Sequence, residues 1–411
     1  MRTLFIHIKQ LLQVHEQLPA VVKGLEMNQV PSIKNAFLLI EDDKILQYGS
    51  MNDHLPSADE IVDVSGKIIF PTWCDSHTHI VFAATREEEF LMKIEGKSYE
   101  EIAAAGGGIL NSARKVEAAT EEELFMSASN RLNQLIRLGT GSIEIKSGYG
   151  LSTDAELKML RVIKKLKEHF PIPIKATFLG AHAYPSIYKE NHEAYIQLII
   201  EEMLPRIQQE QLADYIDVFC EEGFFSTTDT GRILTAAASY GLAPKIHANQ
   251  LNVSGGVQVG IAHQAISVDH LECMDEAAIQ ALKGSHTIAT LLPSCSFYLG
   301  IPFAPARTLM QENIPVALAS DYNPGSTPSG NMNFLFSLAC IKLKMKPMEA
   351  LNAMTINGAY AMQVSDSVGS ITVGKKANFI ITKEIPSITY LAYSFGENCI
   401  DNVYINGNLI V

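Results

Sequence analysis

The sequence lacks the features that mark several specialised classes of protein. Its 411 residues include six cysteines, which are scattered and form no CxxC pair, so neither a disulfide framework nor a zinc knuckle is predicted. Lysine and arginine form no long block, and the net charge is -13. A nucleic acid or an anionic membrane would need a basic patch. We therefore expect no nucleic-acid partner and no membrane partner.

Long apolar segments are also scarce. The longest uncharged run, residues 287–306 (TIATLLPSCSFYLGIPFAPA), contains three prolines and a glycine, which favours a strand followed by a loop over a membrane span. The first segment, MRTLFIHIKQLLQVHEQL, is interrupted by Arg2, Lys9 and Glu16. No small-residue cleavage site follows it, so we predict no signal peptide. These absences favour a cytoplasmic protein.

Hydrophobic residues make up 47% of the chain, enough for a large core. Between about residues 67 and 362 they alternate between strand-like and helix-like units, including a helix with Thr120 as its N-cap and another from Thr153 to about Phe170. Eight alternating units predict a (β/α)8 TIM barrel. The strand-like segments are GKIIFPTWC, GSIEIKSG, IPIKATFLGAH, YIDVFCEEG, APKIHAN, AISVDH, HTIATLLP and PVALASD.

The two ends of the chain have a different pattern. Residues 1–66 and 363–411 contain short β-branched runs separated by glycine, asparagine or charged residues, as in AFLLIEDDKILQYGS, where Asp42, Asp43 and Lys44 predict a hairpin turn. We expect these two segments to form one small β-sandwich domain beside the barrel domain of residues 67–362.

Two histidines follow the first predicted barrel strand, in the stretch PTWCDSHTHIVFAATR (71–86). Side chains at positions i and i+2 of a strand point to the same side, so His77 and His79 should converge. Two imidazoles on one face supply half of a four-coordinate metal site. The alternative is one hydrogen-bonded core histidine and one exposed histidine.

The other strand ends decide between these alternatives. Functional residues of a TIM barrel lie at the C-terminal ends of its strands, and histidines recur there. This concentration favours a metal-dependent active site over isolated core histidines. In chain order, the later ends carry Tyr149, His182, Glu221, His247, His270, Pro293 and Asp321.

This set, with the split β domain, resembles the amidohydrolase superfamily. Within it, ten segments between about residues 67 and 330 are similar to the imidazolonepropionase family. The sequence departs from the family pattern at Thr72, where glycine is usual, and at Asn378, where aspartate is common. Gln250 replaces the glutamate of some relatives. The segments are HTHIVFAATREEEF, GGGI, IEIKSGYGL, TFLGAHA, DVFCEEGFFS, KIHANQ, SVDHLE, ATLLP, PAR and ALASDYNPGS.

The resemblance implies one divalent metal per chain, zinc or iron, bound by His77, His79, His247 and Asp321. Two-metal relatives usually add a lysine at the end of the fourth strand, where this chain has VFCEEG. A metal-bound hydroxide would open the cyclic amide of 4-imidazolone-5-propanoate to give N-formimidoyl-L-glutamate, a step of histidine degradation. Asp321 would move the proton.

Further roles follow from the same resemblance. His270 would polarise the substrate carbonyl, although a fifth metal contact or an orienting role is the alternative. Gln250 counts among the catalytic residues, but an amide orients a substrate and cannot shuttle a proton. A purely structural turn remains the alternative for Pro324 and Gly325. The residues implied in substrate binding are Arg86 and Tyr149 at the carboxylate, His182 and Gln250 at the ring, and Asn323, Gly325 and Ser326 in the turn.

Two other functions remain open. A deaminase of the guanine or cytosine type would share the barrel and the metal ligands, but such enzymes typically have HxxE where this chain has His247 and Gln250. A non-catalytic scaffold would be expected to lose metal ligands. We also expect a homodimer, the default symmetry for homo-oligomers, and a glycine-rich loop over residues 106–109 that acts as a lid.

Overall fold

Two sheets account for the strands of the part of the chain that is described. The computed structural model describes residues 1–17, 19–97, 101 and 107–411. Its strands are β1 (Arg2–Leu12), β2 (Ser32–Glu41), β3 (Lys44–Ser50), β4 (Glu60–Asp63), β5 (Ile68–Pro71), β6 (Trp73–Asp75), β7 (Thr140–Lys146), β8 (Ile174–Ala181), β9 (Tyr215–Cys220), β10 (Ala243–Ala248), β11 (Ser267–His270), β12 (Ile288–Leu291), β13 (Val316–Leu318), β14 (Phe379–Thr382), β15 (Ile400–Ile405) and β16 (Asn408–Leu409).

The first sheet joins the two ends of the chain. Its order is β16-β15-β14-β5-β1-β2-β3, with β4 paired to β1. Phe5 of β1 packs edge-on against Phe379 and Tyr404 at ring-centroid distances of 5.2 and 5.1 Å, so residues far apart in sequence share one core. The predicted hairpin is present, with Asp42 at φ +52° between β2 and β3. The predicted β domain built from both ends is therefore confirmed, as one mixed sheet.

The second sheet is the predicted barrel. Strands β6 to β13 are parallel neighbours in chain order, and a bridge between Thr78 and Tyr322 brings its two edges together. This confirms the (β/α)8 fold. Parallel strands with helices outside them present all their carboxyl ends on one side of the barrel.

Helices follow the strands as the apolar spacing predicts. Thr120 caps its helix by accepting a hydrogen bond from the Glu123 backbone, while the Glu123 carboxylate accepts one from the Thr120 backbone. The described α-helices are Glu87–Ile94, Ile109–Ala118, Glu121–Arg137, Thr153–His169, His192–Leu198, Leu204–Glu210, Thr227–Ala238, Gly256–Ala262, Glu276–Leu282, Pro293–Leu299, Ala306–Gln311, Met332–Ile341, Pro347–Met354, Ile356–Ala361 and Ile388–Tyr393. Shorter helical segments are Gly24–Asn28, Ser186–Tyr188 and Ile199–Met203.

The apolar run GKIIFPTWC contributes to both sheets. Its first half, β5, pairs with β1 and β14, whereas β6 pairs with β7. Trp73, the only tryptophan, lies where the two sheets meet and donates a hydrogen bond to Asn333 Oδ1 at 3.2 Å. The domain boundary after residue 66 stays a prediction, and the pairing of β5 places the next few residues in the mixed sheet.

Two other features bear on the sequence-based predictions. None of the helices in the described residues is long and apolar enough to cross a membrane. The predicted lid begins at Gly106, which lies outside the described residues. Its remaining residues lead into the helix Ile109–Ala118, and the Gly108 backbone donates a hydrogen bond to Glu89 Oε1. The motion of this loop stays a prediction.

Candidate active site

The closure of the barrel brings the ends of β6 and β13 together. The Asp321 backbone N–H donates to the His77 carbonyl at 3.0 Å, and the His79 N–H donates to the Tyr322 carbonyl at 2.9 Å. The two Nε2 atoms of His77 and His79 consequently lie 3.3 Å apart. Asp321 Oδ1 lies 3.6 Å from the first of these atoms and 3.5 Å from the second. These three predicted ligands form one cluster.

His247, at the end of β10, completes this cluster from the opposite wall. Its ring centroid lies 4.5 Å from that of His77 and 5.5 Å from that of His79. One ligand atom from each of the three histidines lies within 4.8 Å of the others, and all three residues are buried. The geometry therefore brings the three predicted histidine ligands together, with Asp321 beside His77 and His79.

Two buried carboxylates contact these histidines from behind. Asp269 Oδ2 lies 2.6 Å from His77 Nδ1, and Asp217 Oδ2 lies 2.9 Å from His247 Nδ1. A carboxylate that accepts the Nδ1 proton leaves Nε2 with a free lone pair and holds the ring in place. The Nε2 atom of His77 is thereby prepared as a ligand, whereas the Asp217 carboxylate lies beside His247 Nδ1 as a neighbouring negative charge.

The donor set fits a divalent metal. Burial lowers the pKa of His77 and of His79 well below the usual value, and neighbouring cationic groups add to the effect. Both rings are therefore neutral. His77 donates its Nδ1 proton in a hydrogen bond to Asp269, so its Nε2 presents a lone pair toward Asp321 Oδ1. This lone pair and the Asp321 carboxylate repel each other unless a cation lies between them, and imidazole with carboxylate suits zinc and iron alike.

Buried charges support the site from the barrel interior. Although burial disfavours its charge, the carboxylates of Asp217 and Glu144 raise the pKa of Lys146. Its Nζ lies 2.6 Å from Glu144 and 2.8 Å from Asp217, and Lys245 also contacts Glu144. Lys146 is therefore engaged as a structural cation and lies on β7, away from the end of the fourth barrel strand.

His270 lies next to the cluster, at ring-centroid distances of 5.8 Å from His77 and 5.3 Å from His247. It adopts φ +82° and Asp321 adopts φ +55°. Residues other than glycine rarely take such values, and strained backbone of this kind concentrates at functional sites. Although burial disfavours its charged form, the Glu272 carboxylate raises the pKa of His270 well above the usual value. His270 is therefore a proton donor at neutral pH.

Gln250 is partly buried and lies on the side of His270. Its side-chain Nε2 donates to Cys295 Sγ at 3.5 Å, and its backbone carbonyl faces the Cys273 thiol at 3.7 Å. Glu221, at the end of β9, accepts backbone hydrogen bonds from Leu251 and Glu222 at 3.0 Å. Glu221 therefore orients the backbone that follows β9 and β10.

Arg86 approaches the cluster from the mouth of the barrel. Its Nε donates to Ser112 Oγ at 2.9 Å, and its guanidinium carbon lies 5.8 Å from the Tyr149 ring centroid. A Cβ on Gly325 would lie 2.5 Å from the Arg86 Nη1 atom. Only glycine therefore lets the turn after β13 approach the guanidinium this closely. Arg86, Tyr149 and Gly325 therefore lie together at the mouth of the barrel.

His182 and Tyr149 form the wall next to His79. The His182 ring stacks on His79 at 5.5 Å, and its Nδ1 donates to the Gly148 carbonyl at 3.0 Å. Burial lowers the pKa of His182 to about 3, so the ring is neutral and its Nε2 is a hydrogen-bond acceptor. Burial raises the pKa of Tyr149, which keeps its phenol protonated as a donor.

The turn after β13 is organised by the Asn323 side chain. Its Nδ2 donates to the Asp321 carbonyl and to Ser326 Oγ, both at 2.7 Å. Its Oδ1 accepts from the backbone N–H groups of Gly325 and Ser326, both at 2.8 Å. Both amide hydrogens and both oxygen lone pairs are thus used within the turn. We therefore expect Asn323 to position Asp321 and not to contact substrate through its side chain.

Four residues of this region were not singled out by the sequence as functional. Asp217 and Asp269 each interrupt a buried apolar strand, in YIDVFC and SVDH, and an acidic residue in such a run is a signal that could have found them. Glu272 and Cys295 follow β11 and β12 and group with His270. Their contact depends on the packing of adjacent strand ends and has no local sequence signal.

Comparison with known proteins agrees with this geometry. A model of the amidohydrolase family matches residues 68–410. An imidazolonepropionase of Christiangramia forsetii is 58% identical over 412 residues, covering 100% of both chains. A solved structure of E. coli guanine deaminase has a TM-score of 0.74 at 15% identity, covering 100% of this chain and 99% of the other.

A solved adenosine deaminase from Xanthomonas campestris, with bound zinc, has a TM-score of 0.68 at 15% identity and covers 99% of this chain and 92% of its own. At this level of identity the solved structures establish the fold alone. The family match over most of the chain and the full-length relative go further. The chain belongs to the amidohydrolase family and, within it, to the imidazolonepropionase family.

Proposed function

We propose that the barrel site hydrolyses the cyclic amide of 4-imidazolone-5-propanoate to N-formimidoyl-L-glutamate. The observation that carries this proposal is the convergence of three buried histidines, with Asp321 beside two of them and Arg86 facing the same mouth. The full-length relative named imidazolonepropionase supports it. In this reaction water adds to the ring carbonyl carbon, the bond from that carbon to the ring nitrogen breaks, and the nitrogen takes a proton.

His77, His79, His247 and Asp321 would hold one divalent metal. When bound, the metal lowers the pKa of a water ligand and polarises the substrate carbonyl. Zinc is our choice over iron, because a solved protein of this fold carries it, and both metals accept these donors. Asp269 holds the His77 imidazole by a hydrogen bond to Nδ1, and the Asp217 carboxylate lies beside His247 Nδ1.

Asp321 is the residue that moves the proton. Burial raises the pKa of its carboxyl group, so this carboxylate is a stronger base than an exposed aspartate. Its Oδ1 faces His77 and His79, while its Oδ2 lies 3.4 Å from Ser326 Oγ. Asp321 takes the proton of the attacking water and returns it to the leaving ring nitrogen.

His270 stabilises the negative charge that develops on the carbonyl oxygen. The Glu272 carboxylate keeps its pKa raised, so the imidazole carries a proton to donate. A donor of this kind, placed in advance and shielded from water, typically contributes about 10²–10³-fold to the rate.

Substrate recognition follows from the charges at the mouth. The Arg86 guanidinium pairs with the propionate carboxylate, and the protonated phenol of Tyr149 adds a hydrogen bond to it. The His182 Nε2 accepts from a ring N–H, and Gln250 lies at the other side of the ring. An amide at position 250 cannot protonate a leaving amine, which argues against deamination.

The test is the loss of ultraviolet absorbance of freshly generated 4-imidazolone-5-propanoate against its spontaneous decay. We expect the protein to accelerate this loss and Asp321→Ala to abolish the acceleration while the variant still folds. No acceleration by a protein that retains about one metal ion per chain would refute the proposal. A panel of aminated heterocycles would then test deamination.

The setting of the reaction completes the proposal. We place the protein in the cytoplasm as a homodimer that binds no nucleic acid. The composition supports this placement, with scattered cysteines and a net charge of -13. Sedimentation equilibrium measures the oligomeric state, and a monomer at micromolar concentration would contradict the dimer.

A further inference from the structure

A second group of metal-binding side chains lies beside the three-histidine cluster. His270, Glu272 and Cys295 each offer one ligand atom, and these three atoms lie within 4.8 Å of one another. All three residues are buried, with exposed fractions of 2%, 7% and 0%. None of the three belongs to the ligand set of the first site.

Two polar atoms of this group lack hydrogen-bond partners within the described residues. His270 Nδ1 lies 3.6 Å from Glu272 Oε1, beyond hydrogen-bond distance, and Glu272 Oε2 has no donor. Leaving a buried polar atom without a partner destabilises the folded protein. A cation between these atoms would remove this destabilisation.

Neighbouring side chains hold two of these ligands in place. Ser296 Oγ donates to Glu272 Oε1 at 3.0 Å, and Gln250 Nε2 donates to Cys295 Sγ at 3.5 Å. Burial raises the pKa of the Cys295 thiol to about 11, so the sulfur becomes the metal-binding thiolate only when an ion displaces its proton. Outer contacts of this kind accompany built metal sites and orient their ligands.

We propose that His270, Glu272 and Cys295 form a second metal site, which takes thiolate-binding divalent ions such as zinc or cadmium. One nitrogen, one carboxylate oxygen and one sulfur, with a water molecule, make a tetrahedral set that zinc accepts and that magnesium does not. The ion replaces the protons on Cys295 Sγ and His270 Nδ1, which leave to solvent, and no electron is transferred.

The charge balance allows both sites to be filled. The second site supplies a carboxylate and a thiolate, which neutralise its own dication, while Asp321 contributes to the first. Occupation of the second site removes the Nδ1 proton of His270 and with it the positive charge that stabilises the substrate oxyanion. An excess of zinc therefore inhibits the enzyme, a consequence that rests on the proposed function, whereas the binding itself does not.

The experiment adds cadmium to the metal-loaded protein and measures all metals per chain after dialysis, together with the ultraviolet band of thiolate-to-cadmium charge transfer. The wild type should bind two ions in total and show the band. Cys295→Ser should bind one ion and lack the band. Cys273→Ser is the control, because this partly exposed cysteine lies nearby and outside the cluster.

Glu272→Gln gives an independent test if Cys295→Ser fails to fold, and it should lower the affinity for the second ion by at least about tenfold. The proposal is overturned if the wild type binds one ion and shows no band. It is also overturned if Cys295→Ser still binds a second ion and shows the band. If the first site binds no metal, the result is different: the wild type still shows the band, but Cys295→Ser binds no metal.

Discussion

Asp269 offers a sharp test of how the barrel interior supports the metal site. Its Oδ2 lies 2.6 Å from His77 Nδ1 and 3.8 Å from Lys146 Nζ. Replacement by asparagine keeps an oxygen in the same place but removes the negative charge that makes His77 a stronger ligand. Loss of such a contact typically weakens metal binding by about 10–100-fold, which corresponds to about 1.4–2.7 kcal/mol.

The stability of the metal-free chain should respond differently. Two lysines face three carboxylates in this buried group, so one negative charge is in surplus. Burial raises the pKa of Asp269 accordingly. Asp269→Asn leaves two cations with two anions, and we expect metal-free stability within about 1 kcal/mol of wild type, well short of the 3–5 kcal/mol lost when a buried pair is broken. The group comprises Lys146, Lys245, Glu144, Asp217 and Asp269.

The assay is competition for zinc with a chromophoric chelator, alongside denaturant unfolding of the metal-free protein. Asp75→Asn is the matched control. Asp75 is also a buried barrel carboxylate, but its hydrogen bonds come from Ser320 and from the His77 backbone and not from an imidazole of the described residues, so its variant should keep zinc affinity within about threefold. Wild-type zinc affinity in Asp269→Asn would refute the reasoning, and so would a loss of affinity that merely follows unfolding.

Four further predictions address other parts of the molecule. Gln250→Glu should retain turnover within about a hundredfold in the absorbance assay if this side chain only orients the ring, and a larger loss contradicts that role. Arg86→Lys should raise KM by about tenfold and keep kcat within about threefold, because lysine cannot form the two parallel hydrogen bonds that a guanidinium makes with a carboxylate. Steady-state kinetics measure both constants, and an unchanged KM would exclude the carboxylate contact. Thr72→Val should raise the free energy of unfolding by about 1 kcal/mol, because the buried Thr72 hydroxyl has no partner in the described structure. Thr287→Val should lower it by about as much, because the Thr287 hydroxyl donates to a carbonyl at 2.7 Å. Urea unfolding of both variants measures the two changes. Burial lowers the pKa of Lys375 from 10.5 to about 8. Between these two pH values the unfolded chain binds a proton that the folded chain lacks, so the stability rises with pH by up to about 1.4 kcal/mol per unit. Lys375→Met should flatten this rise, as checked by unfolding measured below and within that pH window.

Much of the fold was predictable because its signals are local. The helix that Thr120 caps follows from a hydroxyl three residues before a glutamate and from apolar spacing over five turns. Strand ends that carry histidines are visible for the same reason, since each is a short apolar run followed by a polar residue. The alternation of these units predicts the barrel, and the barrel then predicts that His77, His247 and Asp321 share one end.

The partition of a single apolar run between two sheets was not predictable. Ile68–Pro71 and Trp73–Asp75 have the same hydrophobic character, yet the first pairs with β1 and β14 and the second with β7. Both environments bury apolar side chains equally well, so composition cannot separate them. Pairing with partners far along the chain decides the outcome.

By itself, the sequence determined the type and order of the elements and the residues that end each barrel strand, because these depend on spacing within a few positions. Only the tertiary structure decided what lies behind and beside those residues. His77 and Asp269 are 192 positions apart, and Cys295 meets His270 and Glu272 only where neighbouring strand ends pack. Contacts across a closed barrel depend on strand register and barrel closure, which are set by the packing of the whole core.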